Sequence, residues 1–448
     1  MASLFNTQNF ALGQPFCYNL LFQWTKKMQT QKRSMILGLT LFTIATLFYG
    51  YEYILRVTPS VMSKPLMAFF HINASTFGTL SACYFYAYTP MQLVVGIIVD
   101  RYNLRTVLVI AIFCCAIGAA LMGMADTIWV AAIGRFLQGV GSAFAFVSAL
   151  KIASIWLPAN RFAWYAGINN TVGFLFAGVI GEVALNQLLK IISWQSVFML
   201  LSLTGVILGV VLGLLMREEQ QPTPKTAVKT NSFSESFQNL RGLIKIPSIW
   251  LAGLIAALLF LPTSVFASLW GIPYLEKLHH YTSDQAAFTN SMIFVGWAIG
   301  ASLAGFISDY LGQRTLLIRI GALLACVLSC ILLYVSQLNF ILVSALFVLF
   351  GMVSSVEILT FVLAHDYSPH PHAVGTAIAF VNMLSMVGGM LFQGGLGELL
   401  DWHFIGRVHQ GIRFYSLNDY QHAMLIIPIS LFVAFLCSLL IKDRAHSP

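Results

Sequence analysis

The chain has 448 residues, of which 58% are hydrophobic and only 9% charged, with a formal net charge of +8. Ordinary soluble domains carry about 25% charged residues, so this composition excludes a soluble globular protein and points to lipid as the main solvent. The positive balance gives no reason to infer nucleic-acid binding, because the Lys and Arg residues are spread over the polar ends of apolar segments, where they meet anionic headgroups.

Twelve apolar runs of roughly 20 residues, the length that crosses a bilayer core, are predicted over 35–59, 76–99, 106–124, 128–154, 163–185, 194–216, 249–271, 284–308, 316–334, 340–364, 374–399 and 423–441. Continuous runs of this kind satisfy their backbone only as helices, so the fold class is an all-α polytopic membrane protein. The first run is too long for a signal-peptide core and lacks a small-residue cleavage pattern, so it reads as a span. Residues 1–34 form an N-terminal tail, 35–216 a first six-helix bundle, 217–248 a polar linker, 249–441 a second bundle and 442–448 a short tail. Within the linker, 234–245 suits a surface helix, and 16–27 of the tail suits an interfacial segment or a disordered one.

With the N-terminus inside, cytoplasmic segments hold fifteen Lys and Arg residues, against Lys64, Lys190, Lys277, Arg407 and Arg413 on the other side. That asymmetry places both termini in the cytoplasm and the protein in the inner or plasma membrane. The cysteines show no disulfide or zinc pattern. Phosphate-binding loops and common hydrolase signatures do not occur, so no cofactor or metal is expected, and a proton or other ion gradient is the energy source.

Ionisable residues inside a membrane are expensive and face a bundle interior or a water-filled cavity. The first span carries Glu52 and Arg56, four apart and so on one helix face, beside Tyr49, Tyr51 and Tyr53. They read as a proton-accepting carboxylate next to a substrate-binding guanidinium, or as a static ion pair. Arg135 lies beside Gly139 and Gly141 in the fourth span. It stabilises a proton-coupling carboxylate or makes a permanent interhelical bond. Lys151, near the inner end of that span, is a second cation for an acidic solute, or snorkels to headgroups. Glu182 and Glu357 are further proton-coupling candidates, and Tyr53 and Asn382 uncharged substrate contacts. His365, His370 and His372 read as a solvated turn ahead of a metal site or pH sensor.

Residues Gly96, Asp100 and Arg105 recur, 209 positions later, as Gly305, Asp309 and Arg314 in the same kind of loop, with Tyr310 at the position of Arg101. The chain is therefore a duplication. The loop resembles the Gly-x-x-x-Asp-Arg-x-Gly-Arg-Arg signature of the major facilitator superfamily, with Asn103 and Leu104 in place of the usual Gly and Arg. The Arg135, Gly139, Gly141 spacing resembles that family's fourth-helix motif. The resemblance implies two pseudo-symmetric six-helix bundles rocking about a central site, with the repeated loops as an inner gate. The stretch from Glu52 through Arg56 to Ser60 is similar to the first helix of organic-anion:cation symporters, and the segments around spans 2 to 4 to those of peptide-carrying members. The expected function is secondary active, proton-coupled transport of a small polar solute bearing a carboxylate, by a monomer. The alternatives are an exporter of a carboxylate metabolite, siderophore or drug, a carrier of amino acids or short peptides, and, more distantly, a membrane receptor.

Overall fold

The structure is a computed structural model and describes residues 14–158, 161–216, 240–370, 373–409 and 412–442. Most of the expected linker, His372 and the ends of both tails lie outside the described residues. Among the described residues, twelve helices are long and apolar enough to span a membrane: α1 Met35–Val61, α2 Ala74–Arg101, α3 Leu104–Gly123, α4 Ile128–Trp156, α5 Trp164–Leu188, α6 Trp194–Leu215, α7 Pro247–Leu278, α8 Ser283–Leu311, α9 Arg314–Tyr334, α10 Phe340–Tyr367, α11 Val374–Trp402 and α12 Leu417–Leu440. The helix containing α1 starts as early as Gln14. Residues 240–243 are helical, at the end of the expected surface helix.

Capping residues set several ends that hydropathy misplaces. Asn73 accepts from Thr76 N and starts α2. Ser416 and Asp419 form a reciprocal capping box that starts α12 six residues before its apolar run. Arg319 closes the other end of α12 by donating to the Ser438 and Ile441 carbonyls. Besides helices there is one small hairpin, β1 Arg407–His409 paired antiparallel with β2 Ile412–Phe414, between α11 and α12.

The two bundles repeat each other in their packing. An added Cβ at Gly139 of α4 would lie 2.1 Å from the Tyr84 carbonyl of α2; at Gly351 of α10 it would lie 2.1 Å from the Ile293 carbonyl of α8. These are corresponding contacts of the duplicated halves. Small residues allow such backbone approach where no hydrophobic effect drives helices together. Large apolar side chains such as Ile110, Trp129, Leu214 and Phe306 are exposed on the outside, where lipid would cover them.

Regular helix fails at matching places in α4 and α10. α4 is interrupted at Ala143–Phe144, and α10 tightens to a 3₁₀ turn at Ser355–Ile358. α5 and α7 widen to π-helix over Phe176–Ala184 and Pro262–Trp270. Widened turns of this kind concentrate at functional sites.

The halves meet unequally at the two faces of the membrane. At the face away from the repeated loops, Lys64 pairs with Glu276 at 2.6 Å and Lys190 with Asp284 at 2.6 Å. There Ser75 N donates to Asp401 and Ala74 N to the Tyr415 hydroxyl. At the repeated-loop ends of α2, α5, α8 and α11, an added Cβ at Gly96, Gly167, Gly305 or Gly375 would meet nothing within 4 Å. The halves are locked at one face and lack that close approach at the other.

Overpacking of a tight core position typically costs 1–3 kcal/mol. Gly139→Leu is therefore expected to lower the thermal unfolding midpoint of the purified protein clearly, whereas Gly96→Ala leaves it unchanged.

Candidate functional site

In the second half of α1 the first-span pair forms as its spacing predicts. Arg56 Nη2 donates to both oxygens of Glu52, at 3.0 and 3.2 Å, and the Tyr84 hydroxyl donates to Glu52 Oε2 at 2.7 Å. Glu52 is fully buried and Arg56 nearly so. Around the guanidinium stand four rings, Tyr53 at 4.5 Å, Tyr88 at 4.9 Å, Tyr84 at 5.6 Å and Phe85 at 5.9 Å from its carbon. A desolvated cation over aromatic faces gains up to about 2 kcal/mol. The cage offsets part of the cost of burying the charge.

This cage lies between the halves. Phe85 packs on Gly389 of α11. Tyr53 contacts Phe174 of α5, which stacks on Trp297 of α8 with centroids 4.0 Å apart. One turn beyond Tyr88, Gln92 Oε1 accepts from Asn382 Nδ2 at 2.8 Å across the halves. Tyr49 donates to Tyr53 and Asn170, whereas Tyr51 turns away to donate to the Leu201 carbonyl of α6. Several buried polar atoms here have no partner among the described residues: Arg56 Nε, Gln92 Nε2, the Trp297 ring nitrogen and both polar side-chain atoms of Asn169.

Arg135 is fully buried but touches no carboxylate. Its Nη1 donates to the Leu55 carbonyl of α1 and to Gln138, both at 2.7 Å, and its Nη2 to the Arg56 carbonyl at 3.5 Å. The geometry is that of the interhelical bond, holding α1 in register with α4. Lys151 stands apart from Arg56, at the repeated-loop face, where its ammonium pairs with Asp100 of α2. In the other half, Arg314 of the second loop pairs with Asp366 at the end of α10. Asp100 is thus balanced from α4. The side chains of Arg101, Arg105 and Asp309 have no partner among the described residues.

Glu182 sits in the π segment of α5, fully buried, with Oε1 accepting from Asn290 of α8 and Ser60 of α1. Glu357 lies in the 3₁₀ turn of α10, buried and without a partner for its carboxylate among the described residues. Thus the site unites Glu52, Arg56, Tyr53 and Arg135, with Asn382 one turn away, while Glu182, Glu357 and Lys151 stand elsewhere. Sequence reasoning missed Tyr84, Tyr88, Gln92, Asn169 and Trp297. Tyr84 and Tyr88 were visible as an aromatic i, i+4 pair in a span that carries no buried charge.

Near the outer loops, the His279 imidazole is half buried against the Ser336 carbonyl, and that burial lowers its pKa below the usual histidine value. His365 contacts the buried Asp366. Among the described residues no cluster of three His, Cys, Asp or Glu side chains is placed to hold a metal.

A family model described as Major Facilitator Superfamily matches residues 40–393. The chain is 24% identical over 326 residues to the probable sulfoacetate transporter SauU of Cupriavidus necator, covering 70% of this chain and 74% of that protein. It is 25% identical to the membrane sensor protein UhpC of Salmonella typhimurium, covering 81% and 86%. A bacterial homolog of the lysosomal transporter Spinster, solved inward-facing and unoccupied, shares the fold with a TM-score of 0.73 at 17% identity over 90% of this chain and 97% of that one.

Losing a buried guanidinium whose hydrogen bonds bind two helices leaves orphaned carbonyls. Arg135→Ala is accordingly expected to destabilise strongly, by several kcal/mol. Lys151→Ala removes a part-exposed pair worth at most about 1 kcal/mol. Thermal unfolding in detergent distinguishes them, and equal shifts would contradict these placements.

Proposed function

Because this chain belongs to the Major Facilitator Superfamily, we propose that it is a secondary active transporter that carries a small organic anion bearing a carboxylate or sulfonate. The observation that carries the reading is the buried Arg56, caged by aromatic rings between the halves and neutralised only by Glu52. A solute anion would accept from Arg56 in exchange for Glu52. The displaced Glu52 would then take a proton, keeping the site's charge constant. Such an exchange couples solute binding to proton uptake without any further cation in the cage.

Unpartnered Gln92, Asn169 and Trp297 polar atoms would contact uncharged parts of the solute, and the aromatic walls would exclude bulky ones. The likeness to a probable sulfoacetate transporter supports a small anionic cargo. With more Lys and Arg at its ends, the repeated-loop face would be cytoplasmic, and the locked face external. The protein would then be inward-facing, in the inner or plasma membrane. In this state the loops pair within each half, Asp100 with Lys151 and Arg314 with Asp366. Arg101, Arg105 and Asp309 remain free to bridge the halves when the cytoplasmic side closes. Lys151 moves by this reading from the solute site to the gate, and Arg135 from coupling to scaffolding. Glu357 is retained as a further proton site.

A second reading, a solute-sensing receptor, is favoured by the similarity to a membrane sensor protein. Proteoliposome uptake across a panel of small carboxylates and sulfonates, with and without a pH gradient, decides between them. Movement of a solute driven by the gradient is expected; binding without movement would favour the receptor.

Two substitutions test the exchange itself. A hydrogen bond to a charged group is worth about 1.5–3 kcal/mol, so Arg56→Ala should raise the half-saturation concentration about tenfold or more. Glu52→Gln should abolish proton-driven accumulation yet leave solute counterflow. If accumulation survives in Glu52→Gln, proton coupling does not pass through this carboxylate.

A further inference from the structure

Glu182 is a buried carboxylate without a cation. Its Oε1 accepts from Asn290 Nδ2 at 2.6 Å and lies 3.4 Å from Ser60 Oγ, while Oε2 has no partner. Asn290 Nδ2 also donates to the Ala267 carbonyl at 2.8 Å, and its Oδ1 is buried and unpartnered. Four helices therefore converge on one polar point: α1 through Ser60, α5 through Glu182, α7 through Ala267 and α8 through Asn290. Both Glu182 and Ala267 belong to the π-widened segments, where displaced backbone turns free carbonyls for ligation.

Among the described residues no basic side chain pairs with this point. On α1, Arg56 is one turn further in and donates to Glu52. Beyond α5, Lys190 is bound to Asp284, the acidic residue at the start of α8. On α7, Glu276 is bound to Lys64, and its neighbour Lys277 lies at the end of the helix. An ionised Glu182 would be an isolated charge in a low-dielectric interior, which is costly.

We propose that Glu182, Asn290, Ser60 and the Ala267 carbonyl form a binding site for one monovalent cation, a sodium ion or a proton, separate from the solute cage. A half-turn of the Asn290 amide would replace its Nδ2 by Oδ1. That oxygen would then join Glu182 Oε1, the Ala267 carbonyl and Ser60 Oγ around one point, an all-oxygen set suited to a hard cation. Where the ion is a proton, it resides on the Glu182 carboxyl and the amide keeps its present orientation. Because α1 and α5 belong to one half and α7 and α8 to the other, the bound cation closes the external face. Close packing assists: an added Cβ at Gly178 would sit 3.0 Å from the Ser291 carbonyl of α8, and at Gly181 2.4 Å from Val57 of α1. The proposal rests on the rocking of the two halves assumed above, and makes the external gate itself cation-dependent.

The test needs no solute. Thermal unfolding of the purified full-length protein is measured in choline chloride, with sodium titrated in at fixed pH in one arm and pH lowered without sodium in the other. Stabilisation by sodium that is lost in Glu182→Gln identifies a sodium site. Stabilisation by acid alone, lost in the same variant, identifies a proton site. Ser60→Ala, which removes one oxygen and little volume, should weaken a sodium response several-fold while the protein stays folded. No response in either arm for the wild type, or a response that persists in Glu182→Gln, overturns the proposal while leaving the Arg56 reading untouched.

Discussion

The centre of this molecule is organised by the cost of keeping a guanidinium away from water. Burying an ion pair is repaid only when geometry is good and the remaining hydrogen-bonding groups are satisfied. Arg56 meets the condition with both oxygens of Glu52 and four aromatic rings. Glu52 in turn needs the Tyr84 hydroxyl, which fixes α2 against α1. Arg135 then holds the carbonyls of Leu55 and Arg56 from α4. One desolvated pair thus dictates how three helices of the first half meet.

The second half has no such charged core. Phe347 stands in α10 where duplication would put the counterpart of Arg135, and it stacks on Phe266 of α7. The backbone contacts are preserved all the same, as the paired approaches at Gly139 and Gly351 show. Duplication has kept the packing that builds the fold and let the chemistry diverge. Electrostatic work is consequently concentrated in one bundle, with the other supplying neutral walls such as Trp297, Gly389 and Asn382.

The spans, the duplication and the family were legible because hydropathy over roughly 20 residues and a recurring loop are properties of local sequence. The Glu52–Arg56 pair was legible for the same reason, since four-residue spacing fixes a shared helix face. The partners of Arg135 and Lys151 were not. Whether a cation in the fourth span meets a carboxylate, a carbonyl or the loop of a neighbouring helix depends on rotation about the helix axis and on interhelical distance. Gly139 and Gly141 announce that α4 packs closely, but not which group of α1 waits there. The aromatic cage escaped notice because Tyr84 and Tyr88 look like ordinary membrane filling until Arg56 is placed between them. The π segments of α5 and α7 carry no sequence signal beyond Pro262.

The polar pairs at the two faces are built on different logic. At the external face, proposed from the charge asymmetry, Lys64–Glu276 and Lys190–Asp284 join one half to the other. At the repeated-loop face, Lys151–Asp100 and Arg314–Asp366 join residues of the same half. In the proposed rocking motion, pairs between halves would break as the external side opens, whereas pairs within a half survive any rigid rotation. The pairs at the repeated-loop face would therefore hold each loop in place without opposing that motion. Closing that face by the proposed motion would need groups left over from these pairs, and among the described residues Arg101, Arg105 and Asp309 are the charged side chains of the repeated loops not already committed. Because Arg314 is engaged by Asp366 while Arg105 is free, the two copies of the loop would enter the closed state unequally, the first by offering cations and the second a carboxylate.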